Sequence, residues 1–213
     1  MASGHYVGMS EPYNRFSGQS LERLTALTDG LFAVAMTLLV LGLRVPLGTA
    51  GSEHDLWAAL LRLGPSFAAY LLSFTMLGTF WLAQHTLLTI LARCDRTLTW
   101  IHLGFLFVVS LLPFSAALLA DHVHLRLAVG AYWLNILLLG AGLEWSSRYG
   151  RKAFLTEAGN ASSRLTTFRR RILIAQFLYA AAAAICLIST DASVVALAVV
   201  QLYFIVSPRL PRR

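Results

Sequence analysis

The chain has 213 residues, of which 57% are hydrophobic and only 13% are charged, with a mean hydropathy of +0.67. A soluble domain carries about 25% charged residues, so the composition excludes an ordinary soluble enzyme or binding domain. The apolar residues form long runs, which is typical of a polytopic membrane protein. The net charge of +7 requires no nucleic-acid partner, because cytoplasmic loops beside anionic lipid are basic. Cys94 and Cys186 are too far apart in sequence to suggest a disulfide framework or a metal site.

Six apolar runs follow one another along the chain, and each predicts a transmembrane helix. They cover residues 27–44, 66–90, 98–119, 125–145, 171–189 and 192–207. A crossing needs about 20 apolar residues, so the last run, which stops before Pro208, is short but is counted as a sixth span. We therefore expect an all-α fold in three parts: a cytoplasmic N-terminal segment 1–26, a six-helix membrane domain 27–207 and a basic cytoplasmic tail 208–213.

The basic residues predict the orientation of these helices in the membrane. If the N-terminus is inside, fourteen of the 17 basic residues lie on the cytoplasmic side, and only Arg44, Arg62 and Arg126 lie outside. Short cytoplasmic loops carry an excess of Lys and Arg. Both termini are therefore expected to be cytoplasmic.

The first span contains a carboxylate, Asp29, close to its cytoplasmic end. An ionisable residue inside a membrane is by default a functional candidate with a partner to be named. The second span runs the opposite way, so its far end returns to the level of Asp29, and the third span starts there. A polar cluster is expected at this level, with Arg23 just outside it, made of Asp29, Trp81, His85 and His102.

This cluster has two interpretations. A static network would lock the first span against the second and third, and a proton or ion relay would use the same side chains. The static interpretation is preferred, because buried polar groups in membrane bundles commonly act in packing. Glu144, at the end of the fourth span, is interpreted as half of a surface pair with Arg148 at i,i+4.

The opposite side of the first span carries an apolar stripe. At about 100° per residue, Val34, Leu38 and Leu41 lie within about 60° of one another, and Thr37 flanks them. Such a stripe can face lipid or a neighbouring helix. It can also form apolar rings that gate a pore, if several copies of the helix surround one axis.

The first span resembles that of the transmembrane protein 175 family, the lysosomal potassium channel and its bacterial relatives. The family pattern is an arginine, then Phe-Ser-Asp, then Phe-Ala-Ile-x-x-Thr-Leu-Leu-x-Leu. This chain has Arg23, Leu27-Thr28-Asp29, Phe32-Ala33-Val34 and Thr37-Leu38-Leu39-Val40-Leu41. Further matches run from Tyr70 to His85 and from Phe105 to Phe114. Beyond the third span the match is one of helix placement only.

The resemblance implies a cation channel in the bacterial cell membrane, in which six-helix subunits assemble as a homotetramer with the first helices lining the pore. It implies that the channel prefers K⁺, which is bound only as the permeant ion. It implies no cofactor, and the partners are the other subunits and membrane lipid. The pore residues that it implies are Val34, Leu38 and Leu41 as apolar rings and Thr37 as a hydroxyl layer. Arg23, Thr28 and Asp29 are implied to form the structural network with the next two helices.

The chain departs from the family pattern in two places. Leu27-Thr28 stands where the family has Phe-Ser, which keeps a hydroxyl and loses an aromatic contact. Val34 stands where the family has isoleucine. The side chain at 34 is one methylene shorter, so the first ring is expected to be wider and less selective.

Two other function classes remain open at the level of the sequence. A proton-coupled secondary transporter would use Asp29 and His85 as its coupling residues. A membrane enzyme or haem protein would use histidines, but His122 and His124 lie at i,i+2, a poor spacing for two ligands on one helix. We therefore expect no enzyme activity.

Overall fold

The computed structural model of the chain describes residues 11–44, 52–152 and 161–206. Seven α-helices make up nearly all of this part, which confirms the all-α prediction. They are α1 (Glu11–Leu38), α2 (Glu53–Arg62), α3 (Gly64–Ile90), α4 (Arg96–Asp121), α5 (Arg126–Lys152), α6 (Ala161–Ala184) and α7 (Thr190–Val206). Short 3₁₀ turns follow α1 at Leu39–Gly42 and α6 at Ile185–Leu187. The predicted basic tail 208–213 lies outside the described residues.

Five segments are long and apolar enough to cross a membrane. They are Leu21–Gly42, Gly64–Ile90, Arg96–Asp121, Arg126–Lys152 and Ser163–Leu187. The helix is favoured there because hydrocarbon offers no partner for backbone N–H and C=O groups, which must bond within the segment. The 17-residue α7 is apolar but shorter, so its crossing stays a prediction. Helix α1 begins at Glu11, well before residue 27, because hydropathy marks where a helix meets lipid and not where it starts.

Helix α2 was not predicted from the sequence. Ser52 caps its N-terminus, since the Ser52 hydroxyl oxygen accepts the N–H of Asp55 at 3.2 Å. Only Leu63 separates α2 from α3. Pro65 in the first turn of α3 has no N–H, and its ring would clash with the carbonyl four residues earlier. This proline explains why α2 and α3 are two helices.

Asp95 fixes the end of the bundle where α4 begins and α5 finishes. One carboxylate oxygen accepts the N–H of Leu98 at 2.7 Å and caps α4. The other accepts the hydroxyl of Tyr149 from α5. A single side chain therefore starts one helix and ties it to the end of the next.

The helices α4 and α5 form the most extensive pair in the bundle, and small residues on α5 allow close approach to its neighbours. A Cβ on Gly142 would lie 3.0 Å from Cδ2 of Phe105 on α4. A Cβ on Gly140 would lie only 1.8 Å from Nε2 of Gln176 on α6, which donates to the carbonyl of Ile136 at 3.2 Å. Glycine at 140 therefore leaves the space that the Gln176 side chain occupies where α6 packs on α5.

Glu144 is not the surface residue that the sequence predicted. The i,i+4 pair with Arg148 is present, with Arg148 Nε 2.8 Å from Oε1 of Glu144. However, Glu144 is only 9% exposed, and the same oxygen also lies 2.7 Å from Nη2 of Arg169 on α6. The surface assignment is wrong because a carboxylate with two arginine partners can be buried at the junction of α5 and α6.

Helix α1 lies at the outside of the bundle. Among the described elements it contacts α3, α4 and its own 3₁₀ turn. Its buried side chains, including Leu24, Phe32, Ala35 and Leu39, recur every three or four residues and join the core of the bundle. One face of α1 thus packs against α3 and α4, and its other faces are free to contact lipid or another subunit.

Candidate functional site on the first helix

The outward side of α1 carries the predicted pore residues, which we call the outer stripe: Val34, Thr37, Leu38 and Leu41. The exposed fractions are 55% for Val34, 45% for Leu38 and 64% for Leu41, against 1% for Phe32 on the buried side. Thr37 is also exposed. The described part of the subunit therefore leaves the outer stripe largely exposed, although Leu38 and Leu41 also line a cavity of about 200 Å³ with residues of α3 and α4.

The change from α-helix to 3₁₀ turn at Leu39 alters the geometry of the outer stripe. In a 3₁₀ helix, residues i and i+3 are in line and rise about 2 Å per residue. Leu38 and Leu41 are thereby brought closer to one line than an uninterrupted α-helix would allow, about 6 Å apart along the axis. Val34 precedes Leu38 by about 6 Å. The three apolar side chains form evenly spaced levels.

Thr37 presents an oxygen between these levels. Its hydroxyl donates to the carbonyl of Val34 at 2.8 Å. A threonine hydroxyl has one hydrogen and two acceptor lone pairs. Because the hydrogen is used within the helix, the side chain offers lone pairs to the outside. This arrangement suits a cation better than an anion.

A buried hydrogen-bonded network, made of Thr28, Gln84 and His102, ties α1 to α3 and α4. The His102 Nε2 lies 2.6 Å from the Thr28 Oγ1, and the His102 Nδ1 lies 2.7 Å from the Gln84 Nε2. The Thr28 hydroxyl also donates to the carbonyl of Leu24 at 2.7 Å. These three contacts can form together if Gln84 donates to Nδ1 and a neutral His102 donates from Nε2 to Thr28, while Oε1 of Gln84 is buried with no hydrogen-bond partner among the described residues. The network therefore fits a fixed, uncharged imidazole.

Asp29, the next residue, makes a separate contact. Nε1 of Trp81 on α3 donates to Oδ1 of Asp29 at 2.8 Å. The ring of His85 stacks on Trp81 with a centroid distance of 5.9 Å. Asp29 and His85 line one groove of about 380 Å³ between α1 and α3, which Glu22 also lines. The carboxylate is thus held from one side and open to the groove on the other.

The sequence-predicted polar cluster is divided in the structure. Trp81 and His85 accompany Asp29, whereas His102 bonds to Thr28, which lies about 100° further round α1. Arg23 is exposed and forms no ion pair with Asp29 in the described part of the chain. The two contacts hold neighbouring residues of α1 at different angles, so together they resist rotation of the helix.

Gln84 is the site residue that the sequence analysis missed. It is 1% exposed and lies beside His85 in an otherwise apolar stretch of α3. A glutamine in a membrane span is itself a signal, since its amide needs partners there. Because this amide is neither charged nor aromatic, it was not among the partners predicted for Asp29.

The histidines of the alternative enzyme or haem function form no metal-binding cluster in the described residues. His124 pairs with Asp191 at 3.2 Å, and both side chains are exposed. No group of three or more His, Cys, Asp or Glu residues suited to a metal occurs within residues 11–44, 52–152 and 161–206.

Comparison with known proteins confirms the resemblance. Residues 23–113 match the family model described as endosomal/lysosomal potassium channel TMEM175. A protein from Streptomyces collinus named as a potassium channel is 40% identical over 102 residues, 48% of each chain. One from Chamaesiphon minutus, also named as a potassium channel, is 36% identical over 52% of this chain and 56% of its own. The chain thus spans about half the length of these curated relatives.

Two further similarities extend the comparison. The human endosomal/lysosomal proton channel TMEM175 is 32% identical over 53% of this chain and 24% of its own length. The crystal structure of a lysosomal potassium-selective channel TMEM175 homolog from Chamaesiphon minutus superimposes with a TM-score of 0.78 at 28% identity. It covers 89% of this chain and 98% of that chain. The likeness in fold to this channel homolog therefore extends beyond the first three spans, over 89% of the chain.

Proposed function

We propose that this chain, a member of the family of the endosomal/lysosomal potassium channel TMEM175 by its residues 23–113, forms a K⁺-permeable channel lined by α1. Four copies surround one axis in a cell membrane, with both termini cytoplasmic. The ion passes between the four outer stripes and needs no cofactor. The bacterial relatives of 40% and 36% identity, which are named as potassium channels, support K⁺ as the permeant ion.

One observation carries this proposal: α1 buries one face in its own bundle and exposes the outer stripe. Large apolar side chains also face lipid in membrane proteins, so exposure alone would not favour a pore. The outer stripe is favoured as a pore surface because it lies on the first helix of the family match at residues 23–113, and Thr37 adds hydroxyl lone pairs between its apolar levels. In a closed ring of four helices, these oxygens meet a partly dehydrated cation.

Selectivity in this arrangement comes from narrow apolar rings. An ion that passes Val34, Leu38 and Leu41 must shed part of its hydration shell, because these side chains offer it no hydrogen bonds. K⁺ holds its shell less tightly than Na⁺ and is favoured. Valine at 34 makes the first ring wider than isoleucine would, so Leu38 sets the main constriction.

The polar contacts of α1 hold the pore helix in one rotational position. Asp29 binds Trp81, and Thr28 binds His102, which in turn binds Gln84. A rotation of α1 that turned Leu38 away from the axis would break both contacts. These residues thus position the pore without touching the ion, and Arg23 lies in water at the pore entrance.

A second candidate is the proton-coupled transporter, favoured by the groove that Asp29 and His85 share. Proton flux that depends on a transported substrate, and is absent without it, would support this function. Potassium flux in the absence of any proton gradient would support the channel.

The experiment is ion flux through the purified protein in liposomes, under a K⁺ gradient and then an equal Na⁺ gradient. The channel predicts flux that follows the gradient, is larger for K⁺ and needs no pH difference. No flux under either gradient, from protein that is folded and inserted, would overturn the proposal.

A further inference from the structure

Helix α2 has an apolar surface that no other described part of the chain covers. It consists of Leu56, Trp57, Leu60 and Leu61, with exposed fractions of 43%, 63%, 42% and 65%. Among the described elements only α3 contacts α2. Ala59, the one residue of α2 that is buried, faces the chain on another side.

This surface is segregated from the charges of the helix. At about 100° per residue, the four side chains occupy an arc of about 140°, and Asp55 and Arg62 lie on the opposite side. Glu53 falls within the arc, but at the first residue of the helix, from where its side chain can extend past the helix end. An apolar arc opposite a charged one is typical of a helix that lies flat in a membrane interface.

The short connection to α3 determines at which level of the membrane α2 lies. One residue, Leu63, joins it to the spanning helix α3, and exposed Phe67 begins the apolar surface of α3 about one turn further on. The apolar surface of α2 therefore lies at the level where the exposed apolar side chains of α3 begin. Exposed Trp100 and Trp145 lie together near the other end of the bundle, where α4 begins and α5 ends. Tryptophan is enriched at both membrane boundaries.

We propose that α2 is an interfacial anchor, lying in the boundary between head groups and acyl chains of the leaflet where α3 begins. A second copy of the protein is less suited than lipid to cover this surface. Its four side chains fall far short of the roughly 20–30 residues that each partner contributes to a stable interface. The helix carries Glu53 and Asp55 against Arg62, so it gains nothing from anionic lipid. Its binding is driven by apolar burial and is equal on neutral and anionic bilayers.

The test uses the full chain with Cys94→Ala and Cys186→Ala, reconstituted in phosphatidylcholine vesicles. A spin label is placed at Trp57 or Leu61, and at Asp55 or Arg62 as matched controls on the opposite face of the same helix. Collision with oxygen, which concentrates in lipid, is compared with collision with a water-soluble nickel chelate. Labels at 57 and 61 should show a several-fold higher oxygen-to-nickel ratio than labels at 55 and 62.

Two results would overturn the proposal. A high nickel accessibility at 57 and 61 would mean that the surface faces water. Low accessibility to both reagents there would mean that protein covers it.

A second measurement needs no cysteine replacement. The fluorescence of Trp57 is obtained by subtracting the spectrum of Trp57→Phe from that of the wild type. Lipids brominated near the head group should quench this difference, equally in phosphatidylcholine and phosphatidylglycerol. No quenching of the difference, or a requirement for phosphatidylglycerol, would contradict the anchor.

Discussion

At the scale of single residues, Thr28 and Asp29 hold α1 through two different kinds of contact. Thr28 enters a buried network with His102 and Gln84, while the charged Asp29 stays exposed beside Trp81. The network of Thr28 is buried away from water, whereas water weakens the electrostatic attraction between the exposed Asp29 and Trp81. We therefore expect changes to the buried network to cost more stability than changes at Asp29.

Asp29→Asn keeps an oxygen for the indole N–H of Trp81 but removes the charge that strengthens this bond. The expected loss is about 1 kcal/mol of unfolding free energy, because a charge-assisted hydrogen bond becomes a neutral one. Ion preference should stay nearly unchanged, since Asp29 lies off the outer stripe. Thermal unfolding and liposome flux measure the two effects. A stable protein with a large pH-dependent change in conductance would support the relay instead.

Gln84→Leu leaves Nδ1 of His102 buried without a donor, at an expected cost of about 1–3 kcal/mol. The double variant Gln84→Leu with His102→Phe removes both polar partners at this end of the network. It should therefore lose less stability than the sum of the two single variants. A double-mutant cycle of thermal unfolding measures the difference. Strict additivity would mean that the contact between Gln84 and His102 does not stabilise the fold.

The sequence predicts the residues of this site better than their pairings. The pairing of Asp29 with Trp81 follows from helix direction and depth, since antiparallel spans bring these positions to one level. The partner of His102 does not follow, because the side of α1 that each neighbour occupies depends on how α3 and α4 pack. Thr28 and Asp29 are consecutive residues of α1, so their side chains point about 100° apart around the helix axis.

At the scale of helices, the close packing of the Gln176 side chain of α6 against α5 depends on Gly140. Gly140→Ala would place its Cβ against Gln176, with Cγ of Gln176 only 2.9 Å away and Nε2 only 1.8 Å away. The glutamine must leave its bond to the carbonyl of Ile136. Overpacking of this kind costs about 1–3 kcal/mol, which should lower the thermal unfolding temperature.

Gly130→Ala is the matched control, because it lies on the same helix with nothing within 4 Å of the added Cβ. Alanine has the better helix propensity by up to about 1 kcal/mol, so this variant should be neutral or stabilising. Gln176→Ala combined with Gly140→Ala should recover part of the loss. Equal melting temperatures for the two glycine variants would contradict the close approach.

Element boundaries show where sequence reasoning reaches its limit. Hydropathy locates the apolar core of each span but not the polar turns that extend α1 to Glu11 and α6 to Ala161. The ten-residue α2 is missed because its apolar residues are too few for a crossing. The sequence prediction that Glu144 lies at the surface is wrong because its second arginine partner, Arg169, lies 25 residues further along the chain, on another helix.

At the scale of the whole molecule, the distribution of basic residues predicts the topology. A cysteine replacing Lys152 should react with a membrane-impermeant thiol reagent only from the cytoplasmic side, and one replacing Glu53 only from outside. Both side chains are exposed, so access is set by the membrane. The parent protein without either added cysteine gives the background. Reversed labelling would contradict the cytoplasmic termini.

The central claim is that the outer stripe of α1 lines an ion pathway. Leu38→Ala widens the proposed ring, and Leu38→Asn also lets water wet it. Leu138 on α5 is an exposed leucine of matched accessibility, 44% against 45%, on a helix outside the proposed pore. Leu39 is a poorer control, because it is 5% exposed and belongs to the core.

The decisive measurement is the K⁺ and Na⁺ flux of Leu38→Asn and Leu138→Asn in liposomes, normalised to the amount of inserted protein. A pore lined by α1 predicts that Leu38→Asn raises flux several-fold, more than Leu38→Ala does, and lowers the ratio of K⁺ to Na⁺. Leu138→Asn should leave both quantities at the wild-type level. Equal changes at the two positions, or no change at Leu38, would contradict the assignment of this face to a pore.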